Sequence, residues 1–222
     1  MKIQNLIAEA PLPDDWDKDL YSHGKGSFKR RIEYAKQQAQ KIGGGSSRIA
    51  FLIKYEGRDT VLKIAKNKKG LAQNYQEATM LRTAEVLGGA GKVVVPMIDH
   101  DETGEDPSWL HVEYARKLKN EQEFEILTGF KLSDLLDYAA QQFGNKSVSG
   151  FRQKKEFDSG WKDKMWEEDS FANELMNFIG NTDLHLSDLY RVNNWGVYKN
   201  NPVIIDLGLD QEIYNKYYKG NF

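Results

Sequence analysis

The chain has 222 residues, 40% of them hydrophobic and 29% charged, enough to bury one sizeable core or two small ones. Its formal net charge of −2 supplies no global field that would draw nucleic acid or a membrane surface. There is no cysteine, which excludes disulfides, a thiol nucleophile and cysteine-ligated metal, and fits a reducing cytosol. The stretch Met1–Pro11 holds too short an apolar run for a signal peptide, and no other run could span a bilayer, so a cytoplasmic protein is expected.

Residues 1–24, punctuated by Pro11, Pro13 and Gly24, read as an extension ahead of the core. Residues 27–41 favour helix, with Phe28, Ile32, Tyr34 and Ala35 near one face. Gly43-Gly44-Gly45-Ser46-Ser47 then passes into a β-rich run, Glu56–Asp59 is a turn, and Thr60–Ala65 is the second strand of a hairpin. Residues 71–87 predict a helix closed by Gly88-Gly89. Lys92–Asp99 and Ser108–Ala115 read as two more strands, separated by an acidic turn at 99–107. Residues 131–142 are helical through Leu132, Leu135, Leu136 and Ala139, whereas 144–163 are polar, glycine-containing and locally basic and read as a loop. Residues 166–180 are helical again, and a loop, a hairpin and a short tail follow. A strand-rich half with one helix, then a mainly helical half, is an α+β chain with two unequal lobes.

The residues with chemical potential are spread along this order. Asp188 is followed five residues on by Asn193 and thirteen further by Asp206, which ends the apolar run Val203-Ile204-Ile205. A carboxylate there is costly unless paired or bound to metal. Mg²⁺ prefers a few carboxylate oxygens together with phosphate and water, and this set suits it. The glycines at 43–45 would let backbone N–H groups approach a phosphate chain, although the same composition makes an ordinary hairpin connection. With no Gly-Lys-Ser/Thr and no helix behind it, this is not a Walker loop. Lys63 lies mid-strand and needs a charge partner when half buried. Glu77, set among Tyr75, Ala78, Leu81 and Arg82 on the next helix, is the natural partner, with Glu85 as the fallback. The four histidines show no close pairing, so zinc is not expected, and no Ser-His-Asp set has a nucleophile elbow.

Taken in order, these parts resemble the protein kinase-like superfamily over about residues 40–210. The resemblance implies a bilobal fold with a small antiparallel-sheet N-lobe (25–116) and a truncated, mainly helical C-lobe (117–222), binding ATP and Mg²⁺. It implies that Gly43, Gly44, Gly45, Ser46 and Ser47 cover the phosphates, that Lys63 contacts them, and that Glu77 orients Lys63. By the same resemblance, His111–Ala115 is the hinge, with the backbone of Glu113 to Ala115 meeting adenine. Asp188 would orient the acceptor hydroxyl, and Asn193 and Asp206 would hold the metal.

Two registers compete. Asp183-Leu-His185-Leu-Ser-Asp188 resembles the D-L-H-x-x-N of aminoglycoside phosphotransferases, which would make Asp183 catalytic and Asp188 a metal ligand. The Asp188 register is preferred because it keeps the asparagine and the usual spacing to Asp206. The chain also departs from the pattern. Leu186 replaces the histidine of H-R-D, and Tyr190 stands where a Lys or His is usual, with Arg191 as a substitute cation. The fourteen residues after Gly208 leave no room for an activation segment or A-P-E motif, a resemblance to compact kinase-like proteins of bacteria and their phages. The acceptor surface is then expected in the N-terminal extension and the loop at 144–165, with Arg152, Lys154, Lys155, Trp161 and Trp166. The implied function is phosphoryl transfer to a Ser/Thr protein acceptor or to the chain itself. A pseudokinase that grips a partner protein and a small-molecule kinase are the alternatives. Nucleic-acid binding through Lys66–Lys69 and Arg152–Lys155 is disfavoured, since a charge run is usually a solvated face.

Overall fold

The computed structural model describes residues 11–21, 27–88, 92–101, 107–143 and 155–218. The chain divides into two units: everything up to Asn74 with Met97–Glu113, and Tyr75–Pro96 with everything from Tyr114 onward.

The first unit is built on a five-stranded antiparallel sheet of β1 (Gln40–Gly44), β2 (Arg48–Tyr55), β3 (Arg58–Ala65), β4 (Met97–His100) and β5 (Trp109–Glu113), in the order β1-β2-β3-β5-β4. The helix before it is shorter than the sequence suggested. α1 spans Phe28–Gln38, with the Ser27 hydroxyl accepting the Arg30 N–H as its cap. Ala39 is already extended, and residues 40–44 form the edge strand instead of a last helical turn. β2 and β3 meet at Glu56-Gly57, both at positive φ (48° and 76°), the two-residue turn whose twist matches the strands.

β3 is central, and its residues from Thr60 to Ala65 are all buried. The register Ile49↔Ile64 and Phe51↔Leu62, with Trp109 across from Ile64, puts one apolar set on one face. Leu12, Trp16, Leu20, Tyr21 and Ala35 cover that face. The segment read from sequence as an extension therefore supplies a wall of this core. It is tied down by polar bonds as well: Trp109 donates its indole N–H to the Tyr21 carbonyl (2.9 Å), and buried Arg31 donates Nε–H to the Leu20 carbonyl (2.7 Å). Because side chains alternate across a strand, Lys63 lies on the other face, level with Ala50 and Leu110.

The run 92–99, expected as one strand, is divided at Pro96, which has no N–H to give a ladder. Residues after it enter β4, while Val94 bridges Ile204 in the second unit, with Val95 N–H donating to the Ile204 carbonyl (3.1 Å).

The second unit takes α2 (Lys68–Val86) from Tyr75 on, then α3 (Glu121–Thr128), α4 (Leu132–Gln142), α5 (Ser159–Met165), α6 (Phe171–Gly180), α7 (Leu186–Leu189) and α8 (Gln211–Tyr217). Its sheet has β6 (Arg116–Lys117), β7 (Trp195–Tyr198) and β8 (Asn201–Ile204), in that order. Sequence reading missed α3, although its ends are marked: Asn120 accepts the Glu123 N–H as N-cap (2.9 Å), and Gly129 closes it at φ 75°. α5 occupies part of the stretch read as a loop, and α8 the stretch read as a tail. Residues 144–154, with Arg152 and Lys154, lie outside the described residues, as does Gly89 of the expected helix stop. Among the described residues no helix is long and apolar enough to cross a membrane.

Trp16→Ala should remove about 3 kcal/mol of stability, measured by urea unfolding of the full chain. A change of a few tenths would mean that residues 12–21 do not wall the core.

Candidate phosphoryl-transfer site

In the first unit, the connection between β1 and β2 is braced. The Gly45 carbonyl accepts from Lys66 Nζ (2.8 Å), Ser46 from Asn67 Nδ2 (3.1 Å), and Ser47 from the Lys66 N–H (2.7 Å). The Ser47 hydroxyl donates to Gln73 Oε1. Gly70, in the first turn of α2, comes so close that a Cβ there would lie 2.2 Å from the Ser47 carbonyl oxygen. Packing therefore requires the glycine at 70. At Gly45 a Cβ would meet nothing, and at Gly43 only an ordinary contact with Ala50, so the fold itself does not demand those two. Lys63 is 9% exposed. On α2, Glu77 is fully buried whereas Glu85 is exposed. Glu113 ends β5 in an ion pair with Arg58 (3.0 Å), and Ala115 lies in the short link before β6.

The second unit carries Asp188, Asn193 and Asp206 together. α6 ends where Thr182 back-bonds to the Phe178 carbonyl, and Asp183 follows it at the surface. Leu186 and Leu189 are buried, so the one-turn α7 is anchored on both sides of Asp188. The Asp188 carbonyl accepts from the Arg191 N–H (3.1 Å) and from Asn194 Nδ2 (2.9 Å), and Asn194 N–H donates to the Arg191 carbonyl (2.8 Å). Of the two neighbouring asparagines, Asn194 thus builds the loop, while Asn193 is exposed.

The hairpin register sets the other two groups. Trp195 pairs with Ile204, and one step further the Ile205 N–H donates to the Asn194 carbonyl (2.9 Å). Asn193 lies in the 3-10 turn Val192–Asn194 just ahead of this ladder on one side, and Asp206 lies just past Ile205 on the other. Asp206 is itself exposed, with Oδ1 accepting the Gly208 N–H (3.3 Å). The loop is fixed at its far end by Trp195, fully buried, whose indole N–H donates to the Leu189 carbonyl (2.7 Å).

Asp188 is half-buried, whereas Asp183 is exposed. Burial pushes the Asp188 carboxyl above its ordinary range; the Arg191 guanidinium pulls it back, and the Asp206 charge pushes it up again. Asp188 and Asp206 therefore sense each other as like charges. Tyr190 and Arg191, both singled out in the sequence, acquire partners that the sequence did not show. Tyr190, at the position where the resemblance implies a cation, donates its hydroxyl to Asp137 on α4 (2.7 Å). Arg191 reaches Asp188 Oδ1 at 3.6 Å.

Of the residues proposed for an acceptor surface, Lys155 pairs with Asp134 on α4, and Trp161 packs on Phe157 (4.4 Å between centroids) and Tyr138 (5.4 Å). Trp166 is 47% exposed. The segment 155–166 is thus fastened along the α4 face whose Asp137 holds Tyr190.

A carboxyl whose pKa is raised binds its proton more tightly in the folded chain than in the unfolded one. Its charge then costs stability at neutral pH, and the cost fades as pH falls through the raised value. Asp188→Asn should accordingly unfold at higher urea than wild type at neutral pH, with the gap closing in acid. A gap independent of pH would rule out burial as its cause.

No protein-family model matches this sequence, and no curated protein matches it. Solved structures do match. One is a kinase domain, 17% identical, over 46% of this chain and 31% of that one, with a TM-score of 0.30. Another is aminoglycoside phosphotransferase APH(4)-Ia, 16% identical, over 50% of this chain and 34% of that one, with a TM-score of 0.27. A thermostable variant of the same enzyme, in a ternary complex with ADP and hygromycin B, matches over 81% of this chain and 70% of that one, at 13% identity and a TM-score of 0.33. The chain spans about a third of the length of the first two. Scores this low do not superpose whole folds, so the architecture rests on the strand and helix order given above: an α+β chain, with a five-stranded antiparallel sheet and a mainly helical part, whose solved neighbours are a kinase domain and aminoglycoside phosphotransferases.

Proposed function

We propose that the chain is an ATP- and Mg²⁺-dependent phosphotransferase that acts on a hydroxyl, with a protein Ser/Thr or the chain itself as acceptor. The observation that supports this reading is the β7–β8 hairpin, whose pairing runs out beside Asn193 on one strand and Asp206 on the other, in the unit that also holds Asp188. An amide oxygen and a carboxylate, both exposed, suit a cation that keeps water and takes phosphate oxygens as its remaining ligands. Once bound, the metal would neutralise charge on the phosphates.

The remaining roles fall to the chain's own groups. Asp188 would accept the hydrogen bond of the incoming hydroxyl and take its proton. Its raised pKa brings it nearer the range where a general base works at neutral pH. Lys63 would anchor the phosphates, with Glu77 as its orienting carboxylate. Gly43, Gly44, Gly45, Ser46 and Ser47 would lie along the phosphates, and Gly43 and Gly45 are glycines that packing does not require. Backbone groups from Glu113 to Ala115 would meet the base. Tyr190, committed to Asp137 at the position of the usual cation, supports a second reading as a pseudokinase that binds nucleotide or a partner without transfer.

Incubation with γ-labelled ATP and Mg²⁺, alone and with host lysate, separates these readings. Label should appear on the chain or on a lysate protein and fall by about a hundredfold or more in Asp188→Ala. ATP binding without label would favour the pseudokinase. Asp206→Ala should abolish Mg²⁺-dependent nucleotide binding by calorimetry, and unchanged affinity would remove Asp206 from the metal site.

A further inference from the structure

We propose that Arg191 meets the terminal phosphate of the bound nucleotide, and that it exchanges Asp188 for phosphate as its partner when nucleotide enters. The inference rests on the phosphotransferase reading and goes beyond it in naming the group that controls access to Asp188.

Placement comes first. Residues three apart around a helical turn share a side, so Arg191 lies beside Asp188, at 3.6 Å from Oδ1. Tyr190 is turned toward α4, where its hydroxyl is held by Asp137. Between Leu186 and Gly208 the only cations are Arg191 and Lys199. Lys199 belongs to the turn at the opposite end of the β7–β8 hairpin, with its ammonium over the Tyr198 ring (5.0 Å). Arg191 is thus the cation of this segment on the side of Asp188, Asn193 and Asp206.

Mobility follows from the same contacts. The backbone of the loop is stapled at Asp188, Arg191 and Asn194, while the long Arg191 side chain is 74% exposed. An exposed pair of this kind holds weakly. A guanidinium offers a phosphate two parallel N–H donors, a stronger arrangement than one long contact to a carboxylate. Transfer of Arg191 from Asp188 to phosphate is therefore downhill. It also offsets the repulsion that two neighbouring carboxylates exert on an arriving triphosphate.

The exchange frees Asp188 when the substrate is present. The acceptor oxygen then bonds to the terminal phosphorus, and the bond from that phosphorus to the bridging oxygen breaks. ADP leaves with the electron pair, and the hydroxyl proton passes to Asp188. With no nucleotide bound, Arg191 stays beside the carboxylate, at 3.6 Å from Oδ1.

The test compares binding of Mg-ATP and Mg-ADP, and transfer of label, for wild type, Arg191→Ala and Arg191→Lys in the full chain. Wild type should bind ATP more tightly than ADP. Arg191→Ala should lose about tenfold or more in ATP affinity, leave ADP affinity unchanged, and lose transfer, while Arg191→Lys recovers part of both. A merely structural residue would move ATP and ADP together. If Arg191→Ala discriminates ATP from ADP as wild type does and transfers label equally, the assignment of Arg191 is overturned and the phosphotransferase stands. If wild type binds neither nucleotide, the phosphotransferase reading fails and takes this inference with it.

Discussion

In the second unit, one indole holds the segments that carry Asp188, Asn193 and Asp206 in place. Trp195 is fully buried, and its ring stands edge-on to Phe124 of α3 at 5.1 Å between centroids. Its N–H caps the Leu189 carbonyl at the end of α7, and its own carbonyl accepts the Leu118 N–H. A single residue, through its indole and its backbone carbonyl, thus joins the helix that carries Asp188, the hairpin that ends beside Asn193 and Asp206, and the segment leading into α3. Buried donors of this sort are expensive to leave unmet, so the indole fixes direction as well as burying area. The loop between Leu189 and Trp195 is short and has backbone bonds at each turn, so its geometry follows from the two anchors.

The spacing of Asp188, Asn193 and Asp206 was legible in the sequence because it is carried by local structure: a turn, a short 3-10 segment and a two-residue hairpin. Such elements leave their mark in adjacent residues. The burial of Lys63 and Glu77 was legible for another reason, since a charge inside an apolar strand or helix face stands out. What the sequence concealed is of a different kind. Leu12, Trp16 and Leu20 recur every four residues within a stretch whose prolines suggested irregular chain, and only the tertiary fold shows them covering the sheet. The bond from Tyr190 to Asp137 joins residues 53 apart, which no local pattern announces. Asn194 and Asn193 are identical in type, and only the hydrogen bond to the Asp188 carbonyl tells them apart.

α3 was legible and overlooked. Asn120, Glu123 and Gly129 are start and stop signals, but the helix is short and Ile126 and Leu127 face solvent, so its apolar pattern does not repeat cleanly. The division at Pro96 is a related case. Lys92–Asp99 is apolar and β-branched enough to make one strand, yet the imino acid has no donor, and the residues on its two sides join different sheets.

The strand order of the first unit also constrains how the chain acquires its structure. β3 is the middle strand, buried throughout from Thr60, yet the neighbour on its second side, β5, begins at Trp109, more than forty residues after β3 ends at Ala65. On a ribosome, β1, β2 and β3 emerge as a three-strand meander whose strand most buried in the finished fold is temporarily an edge, a state open to pairing with other chains. The sheet is sealed only when synthesis has passed Glu113. The residues made meanwhile include all of α2, so the insertion between β3 and β4 acts as a timer on the vulnerable period, and its length bears on the yield of folded protein as well as on its architecture.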